Sequence, residues 1–199
     1  MDPVARDTMA ADLLSAKRRL SRASGPLRAA IAVSAGLLLV GGCASQDDDR
    51  NAPLPRMAED DALKWAKGTT AHLAGLTDVA LRPDTAKVHF EACVGENDEV
   101  AEDGRYSLFY YVYSPAPATD HTRIVRKLRS ELPKQGYEVS SYREFKSAYA
   151  SAVFRARNKK NDYSVEAETV GSGKTEPQEF SFAVRTPCML PPGVKQQHF

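Results

Sequence analysis

Three thiols, four imidazoles and one Gly-Ser-Gly-Lys-Thr run are the groups in this 199-residue chain best equipped for chemistry. The thiols are Cys43, Cys93 and Cys188; the imidazoles are His72, His89, His121 and His198. Thiolates and imidazoles together bind zinc, but such sites draw on ligands at short fixed spacings such as CxxC. Here the cysteines are far apart and the histidines scattered, so neither a metal nor a cofactor is expected. A nucleophile and its base need mutual geometry, and no motif implies it, so no catalytic residue is named. Gly171-Ser172-Gly173-Lys174-Thr175 has the composition of a phosphate cradle. That loop needs a further glycine five residues before Gly173, where Glu168 stands, and a helix after it, where Pro177 and a strand-like pattern follow. A hairpin turn is the expected structure.

Charge is the other chemical resource. Between residues 123 and 160 stand eleven Lys or Arg and three Glu, a local balance of +8 in a chain of net charge +1. Arg123, Arg126 and Lys127 share one amphipathic stretch; Arg155, Arg157, Lys159 and Lys160 end another segment and enter a turn. The bland reading is a solvated face. The functional reading is a basic surface for an anionic envelope component, such as lipid headgroups or wall polymers.

The N-terminal region explains why an envelope comes into question. Residues 17–28, KRRLSRASGPLR, carry no acid, and residues 29–40, AAIAVSAGLLLV, carry no charge. A basic region, an apolar core and small residues after it make a secretory signal. The apolar run of 12 residues is shorter than the ~20 that a membrane-spanning helix needs. Residues 1–42 hold six basic and three acidic side chains, so the remainder is slightly acidic. An exported domain is a poor partner for nucleic acid. After Cys43, residues 44–56 (ASQDDDRNAPLPR) read as a polar tether with too little apolar surface to fold.

Val40-Gly41-Gly42-Cys43 resembles the lipobox of bacterial lipoproteins. The resemblance implies cleavage before Cys43 and a thioether-linked diacylglycerol on its sulfur, with fatty chains such as palmitate. Two chains give a stable membrane anchor. Met9 is an alternative start, and Arg18-Arg19 leaves twin-arginine export open beside the general route. With Cys43 so assigned, Cys93 and Cys188 remain as a pair, as two free thiols or as metal ligands. Outside the cytoplasm a disulfide is the expected state. It would close a loop of about 95 residues, worth ~4–5 kcal/mol on the chain-entropy model, and bring strands 87–94 and 179–187 together. The LLLVGGC signal, the Asp-rich tether and the two later cysteines together resemble small lipoproteins of unknown function from high-GC Gram-positive bacteria.

The elements that must position these groups follow from periodicity. Residues 59–74 predict a helix with Glu59, Asp60 and Asp61 in its first turn and a stripe of Leu63, Ala66, Thr70 and Leu73. Residues 87–94 alternate as a strand, with Val88, Phe90, Ala92 and Val94 on one face. Residues 105–113 are aromatic on both faces, which predicts a strand near the sheet centre. Residues 121–132 predict a second helix, capped by Thr119 or Asp120 and ended by Pro133 and Gly136. Segments 137–145, 149–157, 163–170 and 179–187 complete the strands. The tyrosines are expected in the core and in cross-strand pairs. The fold class is α+β, a two-layer sandwich of a mainly antiparallel sheet with two helices on one face, in the order α-β-β-α-β-β-β-β. The expected organisation is a removed signal (1–42), a lipid-anchored tether (43–56), a single extracytoplasmic domain (57–190) and a C-terminal tail (191–199).

These readings point to a membrane-anchored, non-enzymatic binding or interaction module at the cell envelope, with another envelope protein as an alternative partner. An envelope enzyme whose site follows no motif is the second reading. The anchor depends on one sulfur. Cys43→Ser should release the protein from the membrane fraction, and mass spectrometry of the native N-terminus should find an acylated cysteine. A mature protein that still begins at Met1 or Met9 would overturn the assignment.

Overall fold

A helix opens the folded region because its residues can lie very close to a sheet. The computed structural model describes residues 51–95, 97–144, 151–171 and 178–198. The signal segment, Cys43, the start of the tether, Tyr149 and residues 172–177 lie outside the described residues. Helix α1 spans Glu59–Leu76. Its buried residues are Ala62, Ala66, Thr70, Leu73 and Ala74. Leu63, expected in the stripe, is only half-buried, and Ala62 takes the inner position. Small side chains let the backbone settle onto the aromatic residues beneath.

The strands are β1 (Arg82–Ala92), β2 (Tyr106–Ser114), β3 (Tyr137–Arg143), β4 (Val153–Asn158), β5 (Ser164–Val170) and β6 (Glu179–Arg185). Helix α2 (Ala118–Glu131) runs between β2 and β3 and tightens into a 3-10 turn, Leu132–Gln135. The fold is thus mixed, with two helices and one open sheet of six antiparallel strands in spatial order β1-β2-β6-β5-β4-β3. The strand after the aromatic-rich β2 in space is β6, so β2 lies one strand from the edge and not at the centre. Its second row of aromatics, Phe109, Tyr111 and Tyr113, stays half-exposed. Stacking among these rings, and not burial on both faces, accounts for the composition.

The core gathers one set of alternating strand residues with the inner faces of both helices. Phe154, Phe180 and Phe182 are fully buried there, with Ile124, Val125 and Leu128 of α2. Helix α1 packs on β2 and β6, and α2 packs on β3 to β6. Helix α2 begins earlier than expected, with Pro117 at its N-cap and no side-chain cap. Proline needs no N–H partner there, and Asp120 instead pairs with Arg123. The α-helix ends at Glu131, just before Pro133, as expected; Pro133 enters the 3-10 turn, which Gly136 closes at φ +86°. Val170 at the end of β5 pairs with Glu179 at the start of β6; the Gly-Ser-Gly-Lys-Thr run from Ser172 onward lies outside the described residues. No described helix is long and apolar enough to cross a membrane.

The two ends of the domain are clasped together. Arg56 bridges Leu190 in parallel, Met57 N–H donates to Leu190 O at 3.1 Å, and Leu190 N–H donates to Pro55 O at 2.9 Å. Leu54 N–H donates to Gln196 Oε1 at 2.9 Å, and Gln196 Nε2 donates to Ala52 O at 2.9 Å. Residues 51–56, expected within the unstructured tether, are therefore paired with Leu190 and with residues 191–196 of the expected tail. These segments pair through backbone groups, the Gln196 amide and the Arg56 guanidinium, which donates to Val194 O at 2.6 Å, so their side-chain hydropathy carries no sign of it. Cys93 and Cys188 are disulfide-bonded, with Cα atoms 6.1 Å apart. They lie just beyond β1 and β6, which do not touch as strands; β2 runs between them.

Beside the disulfide, Arg105 and Asp103 form a buried ion pair, with side chains 2% and 1% exposed. Arg105 Nε donates to Asp103 Oδ1 at 2.9 Å and Nη2 to Oδ2 at 2.6 Å. Gln197 N–H donates to the same carboxylate at 2.9 Å. The Arg105 guanidinium holds the Asp103 carboxyl well below the usual carboxylate range, against the opposing effect of burial. Asp103→Ala should leave Arg105 buried without its carboxylate and cost ~3–5 kcal/mol, read from urea unfolding. A loss below about 1 kcal/mol, the value of a surface pair, would show that the pair does not hold this end of the domain.

Candidate functional site

The expected basic surface is not assembled. Arg123, Arg126 and Lys127 lie on the outer side of α2. Arg155 and Arg157 alternate with buried Phe154 and Ala156 on β4, so they face away from the side on which α2 packs. Nearly all are neutralised locally. Arg123 pairs with Asp120 and donates to Thr77 O at 3.0 Å, supplying a cation to the C-terminal turn of α1, which has none of its own. Arg126 binds Glu144 through two hydrogen bonds, and that guanidinium, helped by the Tyr142 hydroxyl, brings the carboxyl down to about 2. Lys127 lies 3.9 Å from Glu131, Arg155 binds Glu166 and Glu168 at 3.1 Å, Arg157 pairs with Asp162, and Lys159 lies 3.2 Å from Glu138. Among the described residues only Lys160 of the seven has no ion-pair partner. Acids distant in sequence return on neighbouring strands, which a local charge count does not register.

Lys160 lines a cleft of about 620 Å³. The clasped N-terminal segment supplies one wall through Pro53, Leu54 and Met57. Trp65 of α1 supplies another, and the turn Lys160–Tyr163 with Met189 closes the far side. Trp65 is half-buried, next to the buried Ala66 on α1. Tyr163 precedes β5 in a turn organised by Asn158, whose Oδ1 accepts from Lys160 N at 3.0 Å and Asn161 N at 3.2 Å. Trp65 and Tyr163 meet edge to face, 4.5 Å between ring centroids.

The same two rings line a second cleft of about 440 Å³ with Gly68, His72, Gln135 and Tyr137. Gly68 is useful there: a Cβ at this position would meet nothing within 4 Å, so the absent side chain leaves open space. The hydroxyls of Tyr137 and Tyr163 are 2.6 Å apart. Burial and that hydrogen bond push the Tyr137 phenol above its ordinary value, away from the range of a base at neutral pH. The two clefts share an aromatic wall, with apolar surface on both sides and one cation at the rim. Pockets of this size, mainly apolar with few polar groups, suit small-molecule ligands. The sequence holds one clue to this site: Trp65 is the only tryptophan, and it stands one residue outside the apolar stripe.

The remaining candidates are structural or dispersed. His89 lies on the uncovered face of the sheet, 6.2 Å from the rings of Phe109 and Tyr111. No group of three or more His, Cys, Asp or Glu among the described residues is placed to hold a metal. No protein-family model, curated protein or solved structure matches the chain.

His121, which could have been a catalytic imidazole, is 1% exposed. Its Nε2 lies 3.1 Å from Ala116 O and its Nδ1 3.0 Å from Thr169 Oγ1, which also accepts from Ala152 N at 2.9 Å. A neutral ring protonated at Nε2 satisfies every partner: it donates to the carbonyl and accepts from the hydroxyl. Burial lowers its pKa from the ordinary 6.5. The unfolded chain then binds the proton more readily than the folded one, so this stability is whole above 6.5 and declines as pH falls below it. Urea unfolding of the wild type should weaken on acidification through that window, and His121→Gln should flatten the dependence. An unchanged slope in the variant would place the effect elsewhere.

Proposed function

We propose that this protein is a membrane-tethered binding lipoprotein that holds an anionic amphiphile of the cell envelope in the Trp65–Tyr163 groove without transforming it. One observation carries the reading: a mainly apolar cleft of ligand size has a single unneutralised cation, Lys160, at its rim. An acyl or prenyl body would lie against Met57, Trp65, Tyr163 and Met189, and a phosphate or carboxylate head would meet Lys160. On this reading the helices form one layer and the sheet the other, and the cleft opens where the two layers end. Acylation at Cys43 fits the same picture. Only seven residues lie between Cys43 and Asn51, a reach of at most about 29 Å. The groove wall at residues 53–57 would then stay close to the extracytoplasmic leaflet from which the ligand comes.

The only tryptophan reports on this site. With the full chain carrying Cys43→Ser, oleate should shift Trp65 emission saturably to shorter wavelength, and oleyl alcohol should bind more weakly. Lys160→Glu should weaken oleate binding about five-fold or more, the value of roughly 1 kcal/mol of charge pairing, while leaving oleyl alcohol unaffected. An oleate response that is absent, or equal to that of the alcohol and indifferent to Lys160, would reject the assignment. Chemical change in an added envelope lipid extract would favour the enzyme reading instead.

A further inference from the structure

The sheet has an edge that matches itself. Strand β1 is hydrogen-bonded on one side only, to β2. In the antiparallel ladder Cys93 N–H donates to Arg105 O, while Tyr106 exchanges hydrogen bonds with Met189 on the other side. Residues 87, 89 and 91 share the parity of Cys93 and turn their backbone groups toward β2. Val88, Phe90 and Ala92 therefore turn their N–H and C=O groups outward, where they lack strand partners. Their side chains point to the helix-bearing side of the sheet, beyond the reach of α1. Val88 and Phe90 remain 38% and 37% exposed there, and Phe90 touches only the edge of the Tyr106 ring, 5.5 Å between centroids.

We propose that β1 pairs antiparallel with β1 of a second copy of this chain, about a two-fold axis at His89, to give a continuous twelve-stranded sheet. The charge pattern selects the register. With His89 opposite His89, Lys87 lies opposite Glu91 twice and Val88 lies opposite Phe90 twice. Each outward backbone pair is matched, since Val88 and Phe90 meet as a hydrogen-bonded pair. A slip of two residues one way puts Lys87 opposite His89 and Glu91 opposite Thr85. A slip the other way puts Lys87 opposite Cys93. Only the His89-centred register satisfies both charges. Glu91 also lies 3.4 Å from Arg185 of its own chain, so the carboxylate would be bracketed by two cations. Opposed cross-strand charges and aromatic–β-branched pairs each stabilise by roughly 0.2–1 kcal/mol, and an isologous contact repeats each one.

The edge is also built to stay straight. The register shift in β1 falls between Arg82 and Lys87, before the paired stretch, and the Cys93–Cys188 disulfide fixes its far end. Natural edge strands are usually protected by proline, a bulge or inward charge. Residues 87–92 carry neither proline nor register shift.

The test uses the full chain with Cys43→Ser, which removes the acyl anchor and a stray thiol. Sedimentation velocity at high micromolar concentration should give a dimer. Val88→Pro deletes an N–H that the monomer's own ladder does not use, so it should yield a monomer with an unchanged circular dichroism spectrum. Lys87→Glu should also weaken the dimer, by placing like charges opposite each other twice. His89→Cys should give a covalent dimer on mild oxidation, because opposed Cβ atoms in a non-hydrogen-bonded pair are about 4.5–5.5 Å apart, and peptide mapping should locate the new bond at residue 89 in both chains. A wild-type chain that stays monomeric throughout, or a dimer that survives both Val88→Pro and Lys87→Glu, would overturn the proposal. None of these substitutions touches the Trp65 groove, so oleate binding by the monomeric variants would separate a failure here from a failure there.

Discussion

The two helices pack mainly on five of the six strands, β2 to β6, and much of the architecture follows from the strand they leave out. Strands lie about 4.8 Å apart, so a six-stranded sheet is about 29 Å wide. Two helices side by side cover roughly 20 Å. Here they take the middle and the β3 side, α1 on β2 and β6 and α2 on β3 to β6. The deficit falls on β1, whose inward apolar residues are left half in solvent. It also falls at the end of α1, where neither helix nor sheet closes the space around Trp65. The groove and the bare edge are thus two results of one shortage of cover.

The chain compensates at its ends. Residues 51–57 and 189–197 have too few apolar side chains to drive folding, yet they complete the margin of the sheet by backbone pairing. A buried Asp103–Arg105 pair is a costly way to hold such a margin, since desolvating two charges opposes their attraction. Extra donors and acceptors make it tenable: Gln197 N–H meets the carboxylate and Gln197 O meets the guanidinium. The disulfide acts beside this pair by limiting the unfolded chain. The ion pair fixes geometry and the disulfide limits entropy.

Regular elements were legible in the sequence wherever one face is dry. The alternation of Phe180, Phe182 and Val184 and the spacing of Ile124, Val125 and Leu128 report their own burial directly. Trouble arose where chemistry replaced burial. Residues 105–113 are aromatic on both faces, and dense apolar content alone predicts central placement. Three of the five rings, Phe109, Tyr111 and Tyr113, instead meet one another on a half-exposed face. The strand expected over 87–94 begins earlier, at Arg82, where Pro83 and Asp84 interrupt the alternation, and it ends at Ala92. Residues 51–56 were unreadable because hydrogen bonding between backbones leaves no pattern in side chains. The cleft was legible only as a lone tryptophan beside a stripe.

The basic run teaches the same point about charge. Eleven cations against three acids over residues 123–160 look like a surface field. A sheet, however, brings together residues that are far apart in sequence. Arg155 on β4 lies opposite Glu166 in the ladder with β5, and Arg157 meets Asp162 across the turn. Each exposed pair adds little stability, about 0–1 kcal/mol. Their collective effect is to cancel the field, so that a long-range basic surface does not form. Among the described members of the run, Arg129 lies over the Tyr142 ring, and Lys160 stands beside an apolar cleft without an ion-pair partner. An unpaired charge at the boundary of apolar surface costs little in the free protein, because water still reaches it. It gains most when a ligand excludes that water and supplies an anion of its own. The strength of such a contact therefore depends on the apolar body that the ligand brings with it, which ties the selectivity for charge to the shape of the groove.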